Sequence, residues 1–326
     1  AKPDGMKDVR FFVDFLGAKE VHLAGSMIEC KRILSLRSLG ASGMYTKEVF
    51  NNQMSSWINI DAENTEELKN LYSDYGIDSE FVDYSLDRNE RAHLDYDKAT
   101  DVLLLIFNAP NRRKIDNHYE TVPMTFIVVN RTLITVTNQH SKYVYFEIKN
   151  YLDKNPNSSL FEVLFNSLFI ISDQYFPFVE GMDRDRKRIS QLLREKTTKQ
   201  NLLLLSDLET GIVYFVTASR QNVLLVQQIK SHGIYRRLSD SEKESLDDVL
   251  IEAKQLVEMT QLSSQILQQL SGTYNNVLNN NLNDTMRILT VLSVLLTIPT
   301  IVSGFFGMNM PLPLEHDAFG WVITII

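Results

Sequence analysis

The sequence has few of the residues that usually carry covalent or metal chemistry. One cysteine, Cys30, occurs in 326 residues, which excludes an intrachain disulfide framework and fits a reducing compartment. The six histidines show no metal-ligand spacing, and neither a nucleophile motif nor a GxxxxGK(S/T) phosphate loop occurs. The net charge is −8, which disfavours a general nucleic-acid binder. An enzyme is therefore the least favoured class.

The amino-terminal segment also lacks the features of an export signal. Residues Ala1 to Phe15 carry charges and contain no uninterrupted apolar run. About 280 residues precede the first apolar stretch of membrane length, so we expect them to be cytoplasmic. We expect an incomplete start, since no initiator Met is present. A second apolar stretch begins at Ala318, but the residues that remain are too few to cross a bilayer.

Charge is absent from one long stretch near the carboxyl end. Residues Ile288 to Phe306 read ILTVLSVLLTIPTIVSGFF and contain no charged side chain. At a rise of about 1.5 Å per residue, this length suits one bilayer crossing. Arg287 precedes the stretch and no Lys or Arg follows it, in agreement with the positive-inside tendency.

Polar and small residues recur through this stretch at spacings of three and four, which places them on one helix face. The face holds Asn283, Met286, Thr290, Ser293, Thr297, Thr300 and Gly304, and Leu289 lies next to it. Such a face can line a water-filled path, or it can pack dry against other helices in a membrane. A buried helix of a soluble protein is less favoured, because the stretch is long and uncharged.

The residues after the stretch form a helix end. Gly307 suits the position just beyond a helix, and Pro311 and Pro313 prevent continuation. Met308 and Asn309 therefore lie at the helix mouth, where backbone carbonyls lack partners.

Gly307-Met308-Asn309 in this position resembles the signature of the CorA family of magnesium channels. Trp57-Ile58-Asn59-Ile60, Glu66-Glu67-Leu68 and Tyr75-Gly76-Ile77 look like the amino-terminal segment of that family. The resemblance implies a homopentamer in membrane lipid, with a funnel-shaped cytoplasmic part and two membrane helices per subunit. Since the family has a complete second membrane helix, we expect that helix to be truncated in this chain. Mg²⁺ would be both the transported and the regulatory ion.

The resemblance also implies roles for single residues. Gly307, Met308 and Asn309 would form the entrance, where neutral oxygens recognise Mg²⁺ through its tightly held waters. Thr290, Ser293, Thr297 and Thr300 would offer hydroxyl rings, Asn283 an amide ring, and Met286 with Leu289 a hydrophobic gate. Glu315 and Asp317 would raise the cation concentration at the mouth, or they are ordinary exposed charges.

Family members close when cytoplasmic Mg²⁺ bridges acidic residues between neighbouring subunits. By position, Asp83 and Asp248 are the nearest matches, although Tyr84 stands where many relatives have a carboxylate. Ordinary solvated carboxylates are the alternative.

The pattern along the chain predicts an α+β cytoplasmic domain, with a sheet between helices (α/β/α), then a very long stalk and pore helix and a two-helix membrane domain. Its expected parts are 1–155 (mixed α/β), 156–238 (long antiparallel helices), 239–306 (stalk helix, crossing the membrane at about 288–306), 307–317 (external loop) and 318–326 (start of the second membrane helix). Strands are expected at Val9–Phe15, Val102–Phe107, Thr125–Val129 and Thr132–Thr137, the last two joined by a tight turn at Asn130-Arg131.

Helices are expected at Asn64–Tyr72, Leu160–Glu195, Gln200–Lys230 and Ser239–Phe306. Ser159 and Glu162 resemble a capping box, and Asp240 or Ser241 is the expected cap of the last helix. The charges from Asp183 to Arg188 are read as a solvated face of mixed ion pairs. In the last helix, the predicted apolar face runs from Leu246 through Val277, opposite a mostly polar face that includes Asp248.

The leading hypothesis is a Mg²⁺ channel of the inner (plasma) membrane, conducting hydrated divalent cations inward down the membrane potential and gated by cytoplasmic Mg²⁺. A Zn²⁺, Co²⁺ or Ni²⁺ transporter on the same scaffold is the nearest alternative. Met308 favours magnesium, since zinc-transporting relatives usually replace it. A membrane-anchored helical scaffold without transport comes from a different class.

Overall fold

The computed structural model describes residues 45–307, 319 and 322. The strand expected at Val9–Phe15 lies outside the described residues, as does nearly all of the second membrane helix. The described chain divides into two compact units. The first comprises 45–113, 120–175 and 217–257, and the second comprises 114–119, 176–216 and 258–307.

A six-stranded mixed sheet forms the centre of the first unit. Its strands are β1 (Thr46–Phe50), β2 (Ser55–Asp61), β3 (His93–Asp97), β4 (Val102–Pro110), β5 (Thr121–Val129) and β6 (Thr132–Thr137). They lie in the order β1-β2-β6-β5-β4-β3, and only the β2–β6 pair is parallel. The strands β4 and β6 are buried along their whole length because helices cover both faces of the sheet.

One face of the sheet packs against two short helices, α1 (Thr65–Asp74) and α2 (Ser79–Leu86). Ile58 and Ile60 of β2 point to this face with Leu104 and Ile106 of β4, in the alternation that a pleated strand imposes. These side chains are at most 1% exposed.

The opposite face packs against α3 (Lys142–Lys154) and α4 (Leu160–Asp173). Trp57 of β2 stacks on Tyr145 of α3 with ring centroids 5.2 Å apart, and its indole N–H donates to Thr135 Oγ1 at 3.0 Å. The first unit is therefore an α/β/α sandwich, as the sequence predicted.

The predicted strands within the described residues are confirmed, and so is the turn between β5 and β6. Val129 pairs with Thr132, and Asn130 has a φ of +53°, in the left-handed region that asparagine tolerates. The helix expected from Asn64 is present as α1, with Asn64 at its cap position.

The helix expected over Leu160–Glu195 is wrong, because the structure divides it into α4 and α5 (Phe176–Glu195). Pro177 has no N–H to donate to the carbonyl of Asp173, so the helical ladder cannot continue. Tyr175 lies at the break, fully buried, and its hydroxyl donates to Asn108 O at 2.9 Å.

The remaining helices are α6 (Lys199–Ser231), a 3₁₀ turn (Gly233–Arg237) and α7 (Asp240–Phe306). Ser239 caps α7, in place of the expected Asp240 or Ser241. Its hydroxyl accepts from Glu242 N at 3.3 Å, and Glu242 Oε2 accepts from Ser239 N at 2.8 Å. The reason is geometric, since the capping side chain must precede the first helical residue.

The predicted apolar face of α7 is mostly buried between Leu246 and Tyr274, whereas Leu270 is half-buried and Val277 is 38% exposed. The predicted ion pairs of α5 are confirmed: Asp183 pairs with Arg186 at 2.6 Å and with Lys187 at 2.8 Å, and Asp185 pairs with Arg188 at 3.3 Å.

Candidate ion path and regulatory residues

The uncharged stretch forms the last part of α7, which is one helix of 67 residues. Two helices of the described chain are long and apolar enough to cross a membrane, by length and composition alone. For α6, 33% of the apolar window is buried within the protein, whereas none of the α7 window is. An apolar helix that is exposed on every side requires lipid or other helices to cover it.

The structure places the predicted polar face on consecutive turns of this helix. All of its members are exposed within the single chain: Asn283, Met286, Leu289, Thr290, Ser293, Thr297, Thr300 and Gly304. No break separates them, although Pro299 removes one backbone donor from the ladder.

The hydroxyl groups of this face all donate their hydrogen within the helix. Thr290 Oγ1 donates to Met286 O and Ser293 Oγ to Leu289 O, both at 2.8 Å. Thr297 and Thr300 repeat the pattern at 2.7 Å, onto Ser293 O and Leu296 O. Because each O–H is already used, the oxygen lone pairs remain as acceptors on the exposed face. Acceptors of this kind suit the hydrogens of water bound to a cation.

The helix ends where the sequence predicted. Gly307 N donates to Ser303 O at 2.9 Å, and a Cβ at this position would lie 3.2 Å from the same oxygen. Gly307 therefore permits a tight final turn. The other predicted entrance residues, Met308 and Asn309, lie outside the described residues together with Glu315 and Asp317 of the expected loop.

The two predicted regulatory carboxylates lie on different elements of the first unit. Asp83 is on α2 and Asp248 is on α7, and both are exposed. The next residue, Tyr84, donates to Glu80 Oε1 at 2.6 Å, and this hydrogen bond raises the pKa of Tyr84 to about 12. The described single chain does not bring three metal-binding side chains together at any point.

Sequence reasoning missed two half-buried carboxyl groups on the helices. Burial raises the pKa of Glu209 on α6, against a hydrogen bond from Ser271. Burial also raises the pKa of Glu252 on α7, and the nearby Asp173 adds to the effect. Neither position has a sequence signal, because helical periodicity does not show which polar residue faces a neighbouring helix.

Comparison with known proteins identifies the chain. The family of CorA-like Mg²⁺ transporter proteins matches residues 52–326, which is most of the sequence. The chain belongs to this CorA family. The members of this family are membrane transporters, so the chain belongs to the Mg²⁺ and cobalt transport class of proteins.

Individual CorA proteins are similar over nearly their whole length. The cobalt/magnesium transport protein CorA of Methanocaldococcus jannaschii is 22% identical over 83% of this chain and 85% of its own. The magnesium transport protein CorA of Helicobacter pylori is 24% identical over 83% of this chain and 84% of its own. The complete structure of the M. jannaschii CorA magnesium transporter superposes with a TM-score of 0.70, at 21% identity, over 85% of this chain and 87% of that one. This structural similarity shows a shared fold.

Proposed function

We propose that the protein is a channel for hydrated Mg²⁺ in the inner (plasma) membrane. The observation that carries the proposal is the exposed face of α7. Four hydroxyl groups there donate their hydrogens to backbone carbonyls of the same helix, so their oxygens act only as acceptors toward the outside. A hydrated cation supplies a donor for the remaining lone pairs of these oxygens, which a dry helix contact would leave without one.

A single helix cannot enclose a path, so the proposal includes a homopentamer with one such face per subunit. Membership of the CorA family and the unpartnered apolar surface of α7 support it. Asn283 would add an amide ring, and Met286 with Leu289 a constriction that closes by dewetting. Gly307, Met308 and Asn309 would form the entrance, with Glu315 and Asp317 beyond it attracting cations.

The proposed direction is inward, with the long amino-terminal part in the cytoplasm. A divalent ion gains about 4.6 kcal/mol for each 100 mV of inside-negative potential, so no further energy source is required. Weak, neutral sites suit this role, because a conducted ion must leave each site as readily as it enters.

Transition-metal transport is the alternative within the same scaffold. The M. jannaschii relative is a cobalt/magnesium transport protein, so Co²⁺ belongs in every transport assay. Zn²⁺ or Ni²⁺ preference would call for His or Cys ligands, and the described part of α7 contains neither. A helical scaffold without transport is the alternative from another class.

The experiment is Mg²⁺ uptake into proteoliposomes that contain the full-length protein, under an inside-negative potential. We expect potential-driven uptake in the wild type and a loss of at least tenfold in Asn309→Ala, because the entrance would lose one amide per subunit. Asn281→Ala is the matched control. Asn281 is also exposed on α7 but lies about 200° around the helix from Asn283, so its removal should leave uptake unchanged.

The outcomes separate the candidates. Uptake that survives Asn309→Ala would keep the channel and move the selective site to the hydroxyl face. Uptake of Co²⁺ or Zn²⁺ in preference to Mg²⁺ would favour the transition-metal alternative. If the assembled wild type takes up no divalent ion, the result would favour the helical scaffold without transport.

A further inference from the structure

The connection between α5 and α6 carries three basic side chains that have no acidic partner. Arg194, Lys196 and Lys199 are exposed, and none of them forms an ion pair within residues 45–307. The basic residues in the middle of α5 behave differently, since Arg186, Lys187 and Arg188 pair with Asp183 and Asp185. We call Arg194, Lys196 and Lys199 the basic tip.

Hydrogen bonds hold the basic tip in a defined shape. Asn201 Nδ2 donates to Lys196 O at 3.0 Å, which closes the end of α5, and Thr198 Oγ1 accepts from Asn201 N at 3.2 Å, which caps α6. Lys199 lies at the start of α6, where the helix dipole disfavours a positive charge. Local helix stability therefore does not account for this lysine.

Contacts within the second unit show which way the basic tip points. Tyr274 of α7 donates to Ser190 O of α5 at 3.0 Å. Glu209 of α6, which is farther from the tip than Ser190, receives a hydrogen bond from Ser271, one turn earlier in α7. The tip therefore points toward the carboxyl end of α7, which is the direction of the uncharged stretch.

Helix geometry gives the distance, measured along α7, between the basic tip and the start of the uncharged stretch. From Tyr274 to Ile288, where the uncharged stretch begins, α7 rises about 21 Å. From Ser190 to its last residue, α5 rises about 8 Å, and the connecting residues add a few more. The tip thus ends about 10 Å before the hydrocarbon boundary. The headgroup layer is roughly 5–8 Å thick and the Debye length is about 8 Å, so long basic side chains at this level meet headgroup charge.

We propose that the basic tip binds anionic lipid headgroups on the cytoplasmic side of the bilayer that α7 crosses. The inference rests on the proposed membrane crossing but not on ion conduction. Clusters of Lys and Arg beside a membrane helix are attracted to anionic lipids, and each charge contributes roughly fivefold to the local affinity. The whole chain has a net charge of −8, so a group of three unpaired basic residues has the opposite sign to the protein's net charge.

Fluorescence quenching tests the contact in the intact protein. The full-length chain with Cys30→Ser and Gln200→Cys carries a fluorophore at Gln200, which is exposed beside the tip. Nanodiscs of phosphatidylcholine, with or without phosphatidylglycerol, contain a constant trace of lipid bearing a nitroxide on its headgroup. We expect at least twofold more quenching in the anionic discs, and we expect high salt to abolish the difference.

Two charge-matched variants decide the outcome. Arg194→Gln with Lys196→Gln and Lys199→Gln should remove the lipid dependence. Arg184→Gln with Lys187→Gln and Arg188→Gln removes the same amount of charge from the middle of α5. This variant should keep the lipid dependence. An equal response of both variants, or no lipid dependence in the wild type, would overturn the proposal. A quenching change caused by inorganic phosphate in neutral discs would also overturn it, by showing a site for the free anion. The quenching assay measures no Mg²⁺ flux, so its failure would not contradict the proposed channel. Likewise, a failed flux assay would not contradict lipid binding by the basic tip.

Discussion

At the scale of single residues, Gly211 of α6 has no room for a side chain. A Cβ at Gly211 would lie 3.1 Å from Met182 Cε and 3.2 Å from Tyr119 N. The methionine end can move, but the backbone of Tyr119 cannot move as easily. Tyr119 follows the β-bridge between Ile115 and His118. Its ring packs against the ring of Phe178, with the two ring centroids 5.1 Å apart. Only a residue without a side chain fits this approach.

We therefore expect Gly211→Ala to destabilise the protein. Overpacking costs about 1–3 kcal/mol, which exceeds the gain of up to about 1 kcal/mol in helix propensity. The measurement is the midpoint of thermal unfolding of the purified protein. Gly181→Ala is the control, since its Cβ would meet only the flexible Arg184 Nη2 at 3.8 Å. That variant should unfold at or above the wild-type midpoint, and a Gly211→Ala midpoint equally high would contradict the close approach.

At the scale of whole elements, the amino-terminal ends of α4 and α7 are joined by crossed hydrogen bonds. Ser159 and Glu162 form the predicted capping box of α4. Ser159 Oγ also donates to Glu242 Oε1 at 2.6 Å, and Ser241 Oγ donates to Glu162 Oε1 at 2.7 Å. Each capping glutamate thus accepts from its own helix with one oxygen and from the other helix with the second. The start of the long helix is fixed to the sandwich by this exchange.

The crossed hydrogen bonds give Ser159 a larger contribution to the free energy of unfolding than an ordinary cap residue makes. Ser159→Ala should lower the free energy of unfolding by about 2–3 kcal/mol, because it removes a cap and a hydrogen bond to a carboxylate. Ser239→Ala removes only the cap of α7 and should cost about 1 kcal/mol. Ser245→Ala, whose hydroxyl donates only to Ser241 O within the helix, should change stability by less than about 0.5 kcal/mol. Denaturant unfolding compares the three, and equal losses for Ser159 and Ser239 would disprove the crossed arrangement.

At the scale of the whole molecule, the proposed regulation depends on carboxylates from separate elements meeting between subunits. Asp83 on α2 and Asp248 on α7 are both exposed, so each is free to approach a neighbouring copy. A Mg²⁺ ion held between two such carboxylates would stabilise a closed arrangement of the cytoplasmic parts. The pair remains a proposal about the assembly.

We expect millimolar internal Mg²⁺ to close the proposed channel in the wild type, and we expect Asp83→Asn combined with Asp248→Asn to keep it open. The neutral amides retain the shape of the side chains but lose the charge that binds the ion. Flux into proteoliposomes with buffered internal Mg²⁺ measures the effect. Asp74→Asn with Glu244→Gln removes two other exposed charges from α1 and α7 and should close normally. Normal closure of the Asp83 and Asp248 variant would rule the pair out.

The sequence by itself determined the elements whose signals are local. The uncharged run from Ile288 to Phe306, the turn at Asn130-Arg131 and the capping box at Ser159 follow from hydropathy, backbone preference and side-chain hydrogen bonding among near neighbours. The polar face of α7 follows equally from its spacing, and with it most of the candidate ion path.

Only the tertiary structure decided the features that depend on distant partners. The buried position of Tyr175 depends on its hydrogen bond to Asn108 O on β4, and the lack of room for a side chain at Gly211 depends on the backbone of Tyr119. The direction of the basic tip emerged only from Tyr274 meeting Ser190, residues 84 positions apart. Spacing along a chain specifies which residues share a face, but not which element will face them, since long-range packing selects the partner.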